Sequence, residues 1–163
     1  MTNREFFSHV CSEEYPRFVS VLKAAPGDRL DYRPHAKCRS GHELIGHLIA
    51  HEQDLVELLE TGSINHRMQV PFGIVDEAVS IYDGAHSSAI SKLASVDDAA
   101  WEEMGQFLVQ GNVIMQAPRR DLAWMLIFDA IHHRGQLSTY LRPMGGKVPA
   151  IYGPSADTMM VHA

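Results

Sequence analysis

The sequence predicts an all-α fold, a four-helix bundle with a short hairpin between helices three and four. Three observations carry this. Long stretches repeat apolar residues at three- and four-residue intervals, the spacing of one helix face. Two of them open on a Ser/Thr-x-x-Glu box, in which the hydroxyl and the glutamate each cap the other's free backbone amide. Breaker segments separate them: Ala25-Pro26-Gly27-Asp28, Pro71 with Gly73, and Pro118.

Helix one starts at Thr2-Asn3-Arg4-Glu5 and runs to about Ala24, with Phe6, Val10, Phe18, Val21 and Leu22 in its stripe. Residues 28–39 read as a loop, because Pro34 forbids a helix running through them. Helix two opens on Ser40-Gly41-His42-Glu43 and ends near Gly62, with Leu44, Leu48, Leu55, Leu58 and Leu59 facing inward. After a further loop, helix three spans Val75 to Leu93 on the period of Ala78, Val79, Tyr82, Ala89 and Leu93. Phe107-Leu108-Val109 and Val113-Ile114-Met115 flank Gln110-Gly111-Asn112 as a short hairpin. Helix four runs from about Asp121 to Arg142, before Gly145-Gly146. The tail from about Lys147 to Ala163 reads as an extended segment lying on the bundle, within a single domain over 1–163.

A net charge of -6 argues against nucleic-acid and anionic-membrane partners, which reward a basic face. No apolar run approaches the roughly 20 residues of a membrane span, and the N-terminus lacks the order of a signal peptide. Cys11 and Cys38 are too few and too far apart for a disulfide framework. A cytoplasmic location with reduced thiols is the expectation.

The 10 histidines matter for their placement. Asp129 and His133 stand four apart on helix four, hence on one face. That face continues through Leu122, Met125 and Leu126 above and Leu137 and Tyr140 below, which aims it at the core. Polar groups buried there cost roughly 2–7 kcal/mol each unless something satisfies them, and a divalent metal would. Helix two carries a second such pair, His47 and His51, beside its leucine stripe. Inward polar pairs on two helices are how bundles build metal sites. Nitrogen and carboxylate donors suit Zn, Ni, Fe or Mn. Asp129 reads either as a ligand or as the acceptor of a proton from a ligating histidine. His51 reads either as a proton-relaying base or as a polar residue at the bundle edge. His132 lies about 100° around the helix from His133 and so contacts a neighbouring helix or subunit instead. His9, His35, His42, His66, His86 and His162 read as surface residues. Arg134 and Arg142 read as solvated charges near a helix end, and Tyr140 as core packing.

Leu44-Ile45-Gly46-His47-Leu48, with the run from His132 to Arg142 and the tail from Met144 to Asp157, resembles the DinB/YfiT-like superfamily. The resemblance implies an up-down-down-up four-helix bundle, commonly a homodimer. It implies a metal held by one helix-two histidine and a His-x-x-x-His pair on helix four. Here His47 matches the first and His133 the last, while Asp129 departs from the histidine pattern. Bacterial relatives include transferases and isomerases that use low-molecular-weight thiols, and others described as hydrolases.

Three functions follow from these readings. An enzyme with a divalent metal on His47, Asp129 and His133, assisted by His51, would activate water or a low-molecular-weight thiol toward a small-molecule substrate. A non-catalytic, dimeric, stress-associated bundle would bind the metal without turnover. A bundle without metal would pair Asp129 and His133 with each other and with His47.

Overall fold

A computed structural model describes residues 1–159; His162, read above as a surface residue, lies outside them. The four long helices stand where the apolar periods place them: α1 (Asn3–Lys23), α2 (Gly41–Thr61), α3 (Val75–Ser95) and, last in the chain, α5 (Arg119–Leu141). Both capping boxes form. The Thr2 and Ser40 hydroxyls accept from the Glu5 and Glu43 amides, and each glutamate accepts from the cap residue's own N–H. α2 packs against α3 and α5, and α1 closes the ring against the same two helices. Their meeting faces supply the core, including Phe7, Phe18, Leu44, Leu48, Leu58, Tyr82, Leu126 and Leu137, all nearly or fully buried.

The all-α reading is overturned. Beside the long helices lie a short helix, α4 (Asp98–Glu102), and a three-stranded mixed sheet: β1 (Ser63–His66), β2 (Met104–Val109) and β3 (Asn112–Pro118). β2 and β3 form the antiparallel hairpin, with Gln110 and Gly111 both at positive φ as a tight two-residue turn requires. β1 adds to the other edge of β2 in parallel, Ser63 opposite Gln106 through His66 opposite Val109. The segment after Gly62 is therefore a strand and not a loop. Gly62, at φ 78, ends α2 in the left-handed conformation and turns the chain into β1, where Ile64 is fully buried. The sheet is tied to the helix end: Gln106 N–H donates to the Gly62 carbonyl at 3.2 Å.

The tail crosses α1 and α5, and it explains a second departure. Arg134 is 2% exposed and not solvated. Its guanidinium pairs with buried Glu14, donates to the Tyr152 hydroxyl at 2.6 Å and lies 4.6 Å over the Phe18 ring. The Tyr152 hydroxyl in turn donates to Glu14 at 2.9 Å, so tail, α1 and α5 share one network.

Candidate metal centre

α2 presents His47 and His51 on one face, and α5 presents Asp129 and His133 opposite. One donor atom from each of these four lies within 4.8 Å of the others. His51 Nε2 is 3.2 Å from His47 Nε2 and 3.0 Å from Asp129 Oδ2; His133 Nε2 is 3.3 Å from the same oxygen. The three imidazoles are buried. Asp129 is not the core residue its helix position suggests, since its side chain is 46% exposed. It stands in the wall of a cleft of about 450 Å³ lined also by Arg39, His66, Phe107, Met125 and Leu126. Another cleft of similar volume, lined by α2 and α3 residues and Arg67, contains no imidazole or thiol in its wall.

Contacts outside the cluster fix which nitrogen faces it. His47 Nδ1 lies 2.8 Å from the Met68 carbonyl oxygen, which can only accept, so Nδ1 carries the proton and Nε2 offers a lone pair. The Met68 loop comes this close because residue 46 is glycine. A Cβ there would sit 2.6 Å from the Val70 carbonyl, and Val70 N–H donates to the Gly46 carbonyl at 2.9 Å. His133 Nδ1 lies 2.8 Å from Gln136 Oε1, and donating to that oxygen leaves its Nε2 as an acceptor toward Asp129. Three acceptors (two imidazole nitrogens and a carboxylate oxygen) thus converge on one point. Only the His51 Nε2–H can lie among them, and His51 Nδ1 is buried with no partner.

Electrostatics reinforce this. Burial pushes the His47 imidazole down to about 3, helped by the positive charges that His51, Arg39 and His133 would carry. Burial also lowers His133, against the opposing pull of its Gln136 bond and Asp129. The His51 hydrogen bond holds the Asp129 carboxyl well below the usual carboxylate range, more than burial raises it. At neutral pH the cluster is two lone-pair imidazoles beside a carboxylate. Such a donor set fits a borderline divalent ion, with the outer hydrogen bonds that orient ligating histidines already in place.

His47, Asp129, His133 and His51 therefore meet, as their spacings suggest. His132 is exposed and contacts Gln136 on its own helix. Trp124 is covered by Phe6 and Phe7 of α1, Ile127 is buried, and Phe128 alone of the three projects outward. His66 and His86 are not surface residues. His86 pairs with Glu52 at 2.7 Å and stacks on Tyr15, away from the cluster. His66, at the end of β1, lines the cleft and is held through Nδ1 by buried Asp54 at 2.6 Å. His51, Asp54 and His66 form a second group of potential ligands beside the first. Neither His66 nor Arg39 sits on a helix, so helical spacing had no means of finding them.

The sequence profile of the DinB family matches residues 1–160. No curated protein of known function matches the chain. Among solved structures, a DinB-like protein from Bacillus cereus is 16% identical with a TM-score of 0.75, covering 91% of this chain and 97% of that one. A DinB-like protein from Bacillus subtilis is 14% identical with a TM-score of 0.69, covering 94% and 99%. A mycothiol-dependent maleylpyruvate isomerase is 11% identical with a TM-score of 0.51; 88% of this chain aligns with 61% of that one. At these identities the three structures speak for the fold alone.

Proposed function

Because the chain belongs to the DinB family, we propose that it is a metal-dependent enzyme centred on His47, Asp129 and His133, using water or a low-molecular-weight thiol as nucleophile against a small-molecule substrate. The observation that carries this reading is the convergence of three acceptors with one proton among them. Left without a cation, facing lone pairs in a buried site are costly. A divalent ion there (Zn, Ni, Fe or Mn) would supply Lewis acidity that lowers the pKa of water or a thiol.

The chain's own groups do the rest. The Met68 carbonyl and Gln136 amide hold both imidazoles in the tautomer that offers Nε2. With an ion held at Asp129 in place of the Nε2 proton, His51 would carry its proton on Nδ1, which has no other partner, and its Nε2, 3.0 Å from Asp129 Oδ2, would be free to take the nucleophile's proton. Phe107, Met125 and Leu126 give the cleft an apolar wall against which a substrate can pack beside the reacting end. The thiol alternative draws on the fold neighbour that works with mycothiol.

Metal analysis of the purified protein tests the centre: about one equivalent is expected, and none in a His47→Ala/His133→Ala variant. Equal metal in both removes the proposal. A His51→Ala variant should keep its metal while losing thiol conjugation of a generic electrophile or hydrolysis of an ester. Loss of the metal instead would make His51 a ligand and not the base. The non-catalytic reading, a dimeric metal-binding bundle, is favoured by one observation: Phe6 and Phe128 stand exposed beside Trp124, an aromatic patch suited to a second copy. A blank activity screen with a dimer by light scattering would select it.

A further inference from the structure

Arg39 lies on the loop just before α2 and lines two clefts at once. One is the cleft of the metal cluster. The other, about 300 Å³, is walled by Arg33, Lys37, Cys38, Arg39, Glu43 and Met68. Among the described residues the side chains of Arg39 and Lys37 have no hydrogen-bond or ion-pair partner, although the chain carries an excess of acidic groups. The acidic side chains facing these clefts are already engaged. Glu43 caps α2 and pairs with Arg33, and Asp129 is bound by His51. Arg39 is only partly exposed, and it is close enough to help lower both His47 and His133.

We propose that the two clefts form one ligand groove in which Arg39, backed by Lys37, binds a carboxylate of the substrate or thiol while the reactive end lies at the His47–Asp129–His133 cluster. A guanidinium presents paired N–H donors that match the two oxygens of a carboxylate, and half-removal from water strengthens that bond. Phe107, Met125 and Leu126, which line the cluster's cleft together with Arg39, give a short apolar body a surface to pack on. The ligand class is thus a small acid with an apolar link to its reacting group. This rests on the metal-centre reading for the position of the reactive end, but not for the role of Arg39.

The test compares 3-mercaptopropionate with its neutral amide by calorimetric titration, on metal-loaded and metal-free protein, for wild type, Arg39→Gln and Arg39→Lys. Wild type should bind the acid about tenfold more tightly than the amide, as one charge-assisted hydrogen-bond pair supplies. Arg39→Gln should bring the two to parity with amide binding unchanged, and Arg39→Lys should restore part of the preference. Failure of the protein to take up a divalent metal, with the preference retained, would sink the metal centre and leave this proposal standing. Equal affinity for acid and amide in wild type overturns it. So does a preference that survives Arg39→Gln, or no detectable binding of either probe.

Discussion

Alanine at a helical glycine ordinarily stabilises a helix, by about 1 kcal/mol. Gly46 and Gly84 both lie inside long helices, α2 and α3, yet the structure assigns them opposite signs. At Gly84 an added Cβ meets nothing within 4 Å, so Gly84→Ala should gain roughly 0.5–1 kcal/mol. At Gly46 the Cβ would lie 2.6 Å from the Val70 carbonyl and 3.2 Å from the Gln69 Cβ, where ordinary contact begins at 3.4 Å. Backbone, not a flexible side-chain end, must therefore retreat by roughly 0.8 Å. That retreat lengthens the 2.9 Å Val70–Gly46 bond and the 2.8 Å contact between Met68 and His47 beyond hydrogen-bond range. Overpacking costs roughly 1–3 kcal/mol and each lost bond about 1 kcal/mol, against the helix gain of about 1 kcal/mol. The net loss is about 3 kcal/mol, or a Tm fall of roughly 6–12 °C for a chain of this size. Thermal unfolding of metal-free Gly46→Ala and Gly84→Ala by circular dichroism reads the stability. A metal titration of Gly46→Ala should show affinity about tenfold weaker, because His47 loses the carbonyl that orients it. If Gly46→Ala is as stable as Gly84→Ala and binds metal like wild type, the loop does not position His47.

Metal-free protein should lose stability as pH falls below neutrality. Burial lowers His47 from 6.5 to about 3 and also lowers His133, so between those values the unfolded chain binds more protons than the folded one. Stability from these groups is complete above about 6.5 and is lost toward about 3, with a slope of up to about 1.4 kcal/mol per pH unit for His47. Urea midpoints at pH 7 and pH 5 check this, and identical midpoints would contradict it. Arg134→Met should cost about 3 kcal/mol, because Glu14 stays buried with only Arg17 and Tyr152 beside it. Adding Glu14→Leu should recover most of that loss, whereas additive losses in a double-mutant cycle would show that the two residues do not act as a pair.

The long helices were legible because their signals are local: apolar residues at helical intervals, and caps such as Thr2 with Glu5 and Ser40 with Glu43 that lie three residues apart. β1 was not. It is four residues long, carries no hairpin partner nearby, and pairs in parallel with a strand far along the chain, so nothing near Ser63–His66 in sequence announces it. α4 is a single short turn whose reason to exist is tertiary, the burial of Trp101 against Phe7. Arg134 looked like a helix-end charge because its partner Glu14 lies in α1, 120 residues away.

The centre divides along the same line. His47, His51, Asp129 and His133 could be paired from the sequence because each pair is one helical turn apart, and two such turns facing each other need only the bundle to meet. The groups that decide how those residues behave come from elsewhere. The Met68 carbonyl reaches His47 through a loop that Gly46 admits, and His66 with its Asp54 partner enters the cleft only because β1 pairs with β2. Proton placement, not residue type, makes the cluster an acceptor site. With the same four side chains and His47 protonated on Nε2 instead, that hydrogen would point inward and satisfy Asp129 or His51 without any ion. A backbone carbonyl 21 residues away in sequence therefore separates a cluster that could hold a metal ion from an ordinary buried hydrogen-bond network.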